Sequence, residues 1–288
     1  MNRYFLKDTL LEAINIAGSI QREVLAQDDL GVQSKYGDLH SGYDIVTEAD
    51  IRCEQALRDF FSKKLPDHNI LGEEFGGTYN SNGQFIIIDP VDGTKSFAQR
   101  LPRFGTIVGI YRGGHNVAGI VSNTIREVQY VATTETGFER LGEPDEVDND
   151  VIFLGGGFSA EMIDELAEKI RGQFPHNKII THEQDVLARD RVFEGRWAAY
   201  FHAGLAVHDI AAVPLFSQLT NVPATDHRGV PYTTFDAAAE ARKYADGSKE
   251  VLYSCPILVS RPEYVDGMHN VLAPLYDKLD LKKQRGNV

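Results

Sequence analysis

The sequence is poor in cysteine and has no long hydrophobic run. Its 288 residues contain only Cys53 and Cys255, and two isolated thiols argue against a disulfide scaffold and favour a reducing compartment. No stretch approaches the roughly 20 consecutive apolar residues that cross a bilayer. Lys7, Asp8 and Glu12 interrupt the apolar segment that a signal peptide would need. A soluble protein of the cytoplasm is therefore expected.

Positive charge is also scarce. The chain has 29 Lys and Arg against 42 Asp and Glu, a formal net charge of -13. Nucleic acids and anionic membranes are bound by clustered Lys and Arg, so the balance argues against both as partners. Several carboxylates converging in one cleft would instead create a site for a divalent cation.

The hydrophobic pattern predicts layers of helices and strands. With 42% hydrophobic residues, 15 Phe and 12 Tyr, the chain can fill a large core. Leu6, Leu10, Ile14 and Ala17 recur at helical spacing. A second helix is predicted to start in Thr47–Asp50, which resembles a capping box.

The rest of the chain predicts a mixed first half and an α/β second half. Phe85–Ile88 is apolar at every position, as in a strand covered on both faces, and residues 106–133 indicate an antiparallel meander. The acidic stretch Gly142–Asp150 suggests a boundary between units 1–148 and 149–288. The second half is predicted to contain strands Val151–Leu154, Lys178–Thr181, Trp197–His202 and Val251–Val259, and helices Ala160–Ile170, Ile210–Leu219 and Tyr264–Leu279. The fold class is a layered α+β or α/β sandwich.

Acidic residues follow several of these predicted elements. Asp89 comes directly after the apolar strand, and Asp92 follows it across Pro90, whose ring fixes its own φ. Glu73 lies in a loop after another short apolar stretch, and Asp209 lies near the predicted start of a helix. Hard carboxylate oxygens without cysteine suit Mg²⁺, which commonly shares its coordination shell with a substrate phosphate.

Gly93 and Thr94 supply what a phosphate group needs. A helix starting at Gly93 would present free backbone N–H groups to an anion, and the Thr94 hydroxyl could orient a metal-bound water. Each feature alone has an ordinary explanation: Asp-Pro-x-Asp-Gly is a common turn, Asp50 fits a helix cap and Asp209 fits an acid at a helix start. Their joint occurrence predicts a Mg²⁺-dependent phosphomonoesterase.

Four segments, in this order, make the chain resemble the inositol monophosphatase superfamily of Mg²⁺-dependent, lithium-sensitive phosphatases. They are Asp44–Asp50, Leu71–Glu74, Asp89–Phe97 and His208–Ala212. The resemblance runs from the N-terminal helices to about residue 230 and implies an αβαβα sandwich.

The resemblance also implies roles for individual residues. It implies that Asp50 hydrogen-bonds Thr94 and that Thr94 and Glu73 activate the attacking water. Family members use two or three Mg²⁺ ions, attack in line without a phosphoenzyme, and are often homodimers. The metal ligands that it implies are Glu73, Asp89, Asp92, Asp209 and the carbonyl of Val91.

The second half departs from the family pattern. His208 stands where the family usually has a packing tryptophan, and His202 stands where inositol-selective members have a glutamate. Residues 219–223 stand where the family has an acidic residue followed by Ala-Gly-Gly. His182, His202 and His208 lack the spacing of a transition-metal site, so His202 is interpreted as a hydrogen-bond partner of the substrate.

Several substrates stay open at this point. The segments Thr94–Phe97 and Phe104–Thr106 resemble the histidinol-phosphate phosphatase branch most, while a lysine after Thr94 is also similar to phosphatases of 3'-phosphoadenosine 5'-phosphate. Lys95 and Arg103 are candidates for contacts with substrate charges, although basic side chains are commonly just solvated. Histidinol phosphate and inositol phosphate are the leading candidate substrates. The alternatives are 3'-phosphoadenosine 5'-phosphate and a sugar phosphate. The remaining alternative is a non-catalytic homologue that binds metal or phosphate.

Overall fold

A computed structural model describes residues 3–35, 45–78, 83–143, 149–156, 159–181, 185–202, 205–226, 228–233, 240–243, 250–253 and 256–275. Asp44, His182 and Cys255, which the sequence analysis named, lie outside these residues. The helices are α1 (Phe5–Leu25), α2 (Glu48–Lys64), α3 (Thr94–Ala98), α4 (Ala160–Gln173), α5 (Asp190–Phe193), α6 (Val213–Thr220), α7 (Pro262–Leu272) and a final 3₁₀ turn, Ala273–Leu275. Within the described ranges, none of them is long and apolar enough to cross a membrane.

The strands form two main sheets and two small ribbons. They are β1 (Gln33–Ser34), β2 (Ile45–Val46), β3 (Asn69–Gly72), β4 (Gln84–Asp92), β5 (Gly105–Arg112), β6 (His115–Asn123), β7 (Val128–Thr133), β8 (Gly137–Leu141), β9 (Val151–Leu154), β10 (Lys178–Thr181), β11 (Ala199–His202), β12 (Ala224–Asp226), β13 (Glu240–Lys243), β14 (Glu250–Tyr253) and β15 (Ile257–Ser260).

The six-stranded sheet has the order β3-β4-β5-β6-β7-β8. β3 and β4 are parallel, and the other neighbours are antiparallel. The predicted meander is confirmed as β5–β7, and β8 extends it by a strand that the sequence did not predict. The β5–β6 hairpin turns through Gly113 and Gly114, both with positive φ, a conformation that glycine adopts without steric cost.

The five-stranded sheet has the order β10-β9-β11-β15-β12. β10, β9 and β11 are parallel, whereas β15 is antiparallel to β11 and β12. The prediction of one strand over 251–259 is wrong. Residues 250–253 pair with β13, and β15 starts only after Pro256, which has no N–H to continue a ladder.

Two predicted helices also have bounds that are wrong. The helix expected at Ile210 starts at Val213, because residues 207–212 form turns. The last helix starts at Pro262 and ends at Leu272, short of the predicted 279. Pro274 lacks the N–H that a continuing helix would use.

The layers follow the predicted αβαβα order. α1 and α2 bury Leu10, Leu57 and Phe61 against one face of the six-stranded sheet. α5 and α6 lie between the two sheets, in a core cluster that contains Ile87 of β4 and Phe153 of β9. α4 and α7 cover the outer face of the five-stranded sheet. The two sheets therefore share a core, and the division into units 1–148 and 149–288 stays a prediction.

Candidate active site

A β-bulge brings Asp89 and Asp92 together at the end of β4. Asp89 pairs with Ile107 and Asp92 pairs with Gly105, so three steps along β4 oppose two along β5. Residues three apart in a regular strand point to opposite faces, and one extra residue returns the second side chain to the face of the first. The strand was predicted to end at Ile88, but it continues through both aspartates.

A side chain of helix α1 holds this bulge through hydrogen bonds. The Gln21 amide donates to the Pro90 carbonyl and lies 2.9 Å from the Thr106 hydroxyl, which also donates to that carbonyl at 2.9 Å. Gln21 and Thr106 are buried, and buried polar groups that are fully paired hold a unique geometry. The backbone between Asp89 and Asp92 is thus fixed by partners from two other elements.

Gly93 turns the chain from β4 into α3. Its φ is 85°, and a Cβ there would lie 2.9 Å from the Arg103 carbonyl oxygen, so both conformation and space require glycine. Thr94 is the first residue of α3. Its hydroxyl lies 3.0 Å from Asp50 Oδ1 and 3.0 Å from the Val91 carbonyl oxygen, and its single proton can go to either.

Asp50 acts both as a helix cap and as a partner of Thr94. Its Oδ2 accepts the Thr47 N–H at 2.8 Å and the Thr47 hydroxyl at 2.5 Å. Burial raises the pKa of the Asp50 carboxyl to about 7, although the hydrogen bond from Thr47 lowers it. Asp50 therefore caps α2 with one oxygen and contacts Thr94 with the other, and its role in catalysis stays a prediction.

Glu73 is positioned by a buried glutamate that the sequence analysis missed. Glu54 of α2 is completely buried, and its carboxylate accepts the N–H groups of Glu74 at 2.6 Å and Phe75 at 3.1 Å and the Arg58 guanidinium at 2.8 Å. It clamps the turn that follows β3. A signal was present, because Glu54 is a charged residue between Cys53 and Leu57 on the apolar side of the helix.

Asp209 lies in a turn that packs against the six-stranded sheet. Its Oδ2 accepts the Ala206 N–H at 2.6 Å, and two residues later the Ala211 carbonyl accepts the Tyr111 hydroxyl at 2.9 Å. A Cβ on Gly109 would lie 2.1 Å from that same carbonyl oxygen. A glycine on β5 therefore lets the segment that carries Asp209 approach the strand that neighbours β4.

These elements bring all four predicted acidic metal ligands into one cluster. Ligand atoms of Asp89, Asp92 and Asp209 lie within 4.8 Å of one another, and so do those of Glu73, Asp89 and His208. Asp89 is shared by both groups and is almost fully buried. Its Oδ1 has no hydrogen-bond partner among the residues that the structure describes.

Burial and mutual repulsion dominate the electrostatics of the cluster. Burial, then repulsion from Asp209, raises the pKa of Asp92 to about 8. Burial and the neighbouring carboxylates also raise the pKa values of Asp89 and Asp209. Burial alone would raise the pKa of Glu73, but attraction to His208 and Lys35 lowers it. Buried carboxylates are stable as ions only beside positive charge, so this donor set fits a divalent cation.

Two cations beside the cluster were not predicted. The Lys35 ammonium lies 2.6 Å from Oε1 of both Glu73 and Glu74. The buried Arg189 donates to the Asp209 carbonyl at 2.7 Å, and its charge lowers the pKa of Asp92 against the effect of burial. Both contacts join residues far apart in sequence, so no local pattern could have indicated them.

The remaining predicted residues lie on α3, in the segment before β5 and on β11. Lys95 follows Thr94 on α3 and is half-buried, and the Arg103 backbone lies against Gly93. His202 is the last residue of β11, where it packs against Gly155. Their contacts with a substrate stay predictions.

A family model and several curated relatives match this chain. The sequence model of the inositol monophosphatase family matches residues 5–215. A histidinol-phosphatase of Chlorobaculum parvum is 33% identical over 137 residues, 48% of this chain and 51% of that protein. An inositol-1-monophosphatase of Mycobacterium bovis is 30% identical over 190 residues, 60% of this chain and 66% of that protein. The chain thus matches these curated relatives over about half to two thirds of their length.

Solved structures share the fold over nearly the whole chain. An IMPase of Thermotoga maritima has a TM-score of 0.74 at 22% identity, covering 97% of this chain and 100% of that one. An IMPase/NADP phosphatase complexed with Mg²⁺ and phosphate has a TM-score of 0.69 at 18% identity. The match covers 94% of this chain and 96% of that one. At these identities the likeness establishes the αβαβα fold alone. The family model, however, covers more than half of the 288 residues, so the chain belongs to the inositol monophosphatase family.

Proposed function

We propose that the protein is a Mg²⁺-dependent phosphomonoesterase that hydrolyses a small phosphorylated metabolite by in-line attack of water. One observation carries the proposal: carboxylates from β4, the turn after β3 and the turn before α6, one of them buried and three half-buried, converge beside the first turn of α3. Such a set supplies oxygen ligands for a cation and backbone N–H groups for a phosphate in one place.

The metal would be held by the carboxylate cluster, with two or three ions in all. Bound Mg²⁺ would polarise the phosphate, acidify a coordinated water and neutralise the leaving oxygen. The proposed ligands are Glu73, Asp89, Asp92, Asp209 and the carbonyl oxygen of Val91.

Thr94, Asp50 and Glu73 would prepare the attacking water. If Thr94 donates its proton to Asp50 Oδ1, the hydroxyl oxygen keeps its lone pairs for a hydrogen of the water. Glu73 has a lowered pKa and therefore stays ionised at neutral pH, able to accept a proton. Gly93 and the N–H groups that open α3 would contact the phosphate.

The substrate would be histidinol phosphate or inositol phosphate. Support comes from the relatives, which carry the names of both phosphatases, and Lys95, Arg103 and His202 are the proposed substrate contacts. The alternatives are 3'-phosphoadenosine 5'-phosphate, a sugar phosphate, or a non-catalytic homologue that binds metal or phosphate.

Three further properties are proposed. The family resemblance supports a homodimer and inhibition by lithium, and the two isolated cysteines support a cytoplasmic location. Light scattering of the purified protein tests the dimer.

A panel of phosphate monoesters tests the function. Phosphate release is measured for each compound with Mg²⁺ and with a chelator. We expect release that requires Mg²⁺ and is fastest for one of the two leading substrates. Tight binding of a panel member without any release would favour the non-catalytic alternative.

A further inference from the structure

His208 contributes a nitrogen atom to a cluster that otherwise consists of oxygen. A ring nitrogen of His208 lies within 4.8 Å of carboxylate oxygens of Glu73 and Asp89, and these two oxygens are equally close to each other. The His208 side chain is 14% exposed, so it lies inside the site. Family members usually have a packing tryptophan at this position, and the sequence left the role of His208 open.

The spacing around the ring suits an ion and not a direct contact. His208 Nε2 lies 3.8 Å from Glu73 Oε1 and 3.8 Å from Asp209 Oδ1. Both distances exceed a hydrogen bond. Two ligands of one ion, each about 2.0–2.2 Å from it, are at most about 4.3 Å apart, a limit that the distance between His208 and Glu73 meets.

The two groups of ligand atoms differ in chemistry. Asp89, Asp92 and Asp209 offer oxygen alone, which suits Mg²⁺. The group with His208 offers two oxygens and one imidazole nitrogen, a set that suits zinc and other first-row transition metals better than Mg²⁺.

We propose that His208, with Glu73 and Asp89, is a direct ligand of one metal position, and that this position selects Zn²⁺ or a similar first-row transition metal over Mg²⁺. The inference rests on the proposed metal-dependent phosphatase function and names the ions that its site accepts. The position built from Asp89, Asp92 and Asp209 would remain a Mg²⁺ position.

Lys35 is compatible with this assignment. Its ammonium lies 2.6 Å from Glu73 Oε1, but a carboxylate has two oxygens with about four lone-pair sites. Glu73 can therefore bind Lys35 and an ion together, and Glu74 offers Lys35 a second partner.

Nitrogen NMR of the whole protein tests the ligand directly. The protein has nine histidines, which are labelled with ¹⁵N in the ring and observed before and after saturation with Zn²⁺. We expect one ring nitrogen to move to the position of a metal-bound imidazole. That signal should be missing in His208→Phe, which keeps a ring but has no nitrogen, and present in His115→Phe, which changes an exposed histidine on the β5–β6 hairpin.

Calorimetric titrations measure the selectivity. His208→Phe should lower Zn²⁺ affinity at least about tenfold, since even residues that only support a ligand contribute about that much. Its Mg²⁺ affinity and its thermal unfolding without metal should stay close to those of the wild type. His115→Phe should match the wild type for both ions.

The outcomes separate this inference from the proposed function. Zn²⁺ saturation without a metal-bound imidazole signal, or equal Zn²⁺ affinity in the wild type and His208→Phe, overturns the His208 assignment. Mg²⁺-dependent phosphate release would then still support the phosphatase. A wild-type protein that binds neither ion and releases no phosphate contradicts both.

Discussion

Thr94 Oγ1 lies 3.0 Å from Asp50 Oδ1, which joins the first turns of α3 and α2 across 44 residues of sequence. Asp50 is anchored by Thr47 on its other oxygen, so the Thr94 hydroxyl has a fixed direction. Thr94→Ala should lower kcat by about a hundredfold or more, the usual contribution of a group that positions a proton transfer. Phosphate release measured at saturating substrate and Mg²⁺ checks this.

Thr94→Ser is the matched control, because it keeps the hydroxyl and removes only a methyl group. It should retain most of the wild-type kcat. A near-normal kcat in Thr94→Ala would show that the hydroxyl does not act on the water.

The raised carboxyl pKa values predict how stability depends on pH without metal. The pKa is about 7 for Asp50 and about 8 for Asp92, against about 3.9 for an unfolded aspartate. Between about pH 4 and 8 the folded state therefore binds protons that the unfolded chain releases, so the free energy of unfolding falls as pH rises.

Urea denaturation in the presence of a chelator measures this effect. The free energy of unfolding should be lower at about pH 8 than at about pH 5.5, by roughly 2 kcal/mol or more. Saturating Mg²⁺ should reduce the difference, because metal binding replaces the protons. A metal-free protein that becomes more stable over this range would contradict the account of the cluster.

Lys35 competes with a metal ion for the charge of Glu73 and Glu74. Removing the ammonium in Lys35→Gln leaves both carboxylates available to a cation, so Mg²⁺ affinity should rise, by about tenfold for a charge at this distance in a partly shielded site. Isothermal titration measures it. Lys64→Gln, which removes a lysine paired with Glu12 at the exposed surface, should leave the affinity unchanged, and a weaker affinity in Lys35→Gln would show that the lysine assists the metal.

The approach of Ala211 to Gly109 makes that glycine sensitive to added volume. Gly109→Ala places a Cβ 2.1 Å from the Ala211 carbonyl oxygen and should destabilise the fold by about 1–3 kcal/mol, as overpacking does. It should also weaken Mg²⁺ binding by displacing Asp209. Denaturant midpoints and metal titration measure the two effects.

Gly172 on α4 provides the control for this substitution. A Cβ added at Gly172 would meet nothing within 4 Å. Gly172→Ala should therefore be neutral or stabilise the helix by up to about 1 kcal/mol. Equal effects of the two substitutions would mean that the contact with Ala211 does not limit the volume at Gly109.

Local patterns predicted the layers of helices and strands and the candidate carboxylates, and the family resemblance added the αβαβα order. Apolar periodicity predicts the buried faces of α1 and α2, and the continuous run before Asp89 predicts β4. The bulge between Asp89 and Asp92 depends on pairing with β5, which no single strand encodes. The two aspartates were predicted to lie in one site, and only the structure shows how the bulge brings them to the same face.

The contacts that support the ligands could not be read in the same way. Lys35 approaches Glu73, and Arg189 approaches Asp209, only after the sheets have packed. Glu54 was overlooked although its charge on an apolar helix face was visible. The role of His208 could not be predicted from the sequence, and the structure places its ring 3.8 Å from carboxylate oxygens of Glu73 and Asp209.

Asp92→Asn tests the central claim most directly, since it keeps the volume of the side chain and removes its charge. Phosphate release from the best monoester is measured across a Mg²⁺ titration for this variant and for the wild type, with thermal unfolding as the check of the fold. The account predicts Mg²⁺-dependent turnover in the wild type and a loss of at least about a hundredfold in the variant, with the fold retained. Near-normal, Mg²⁺-dependent turnover by Asp92→Asn would contradict it.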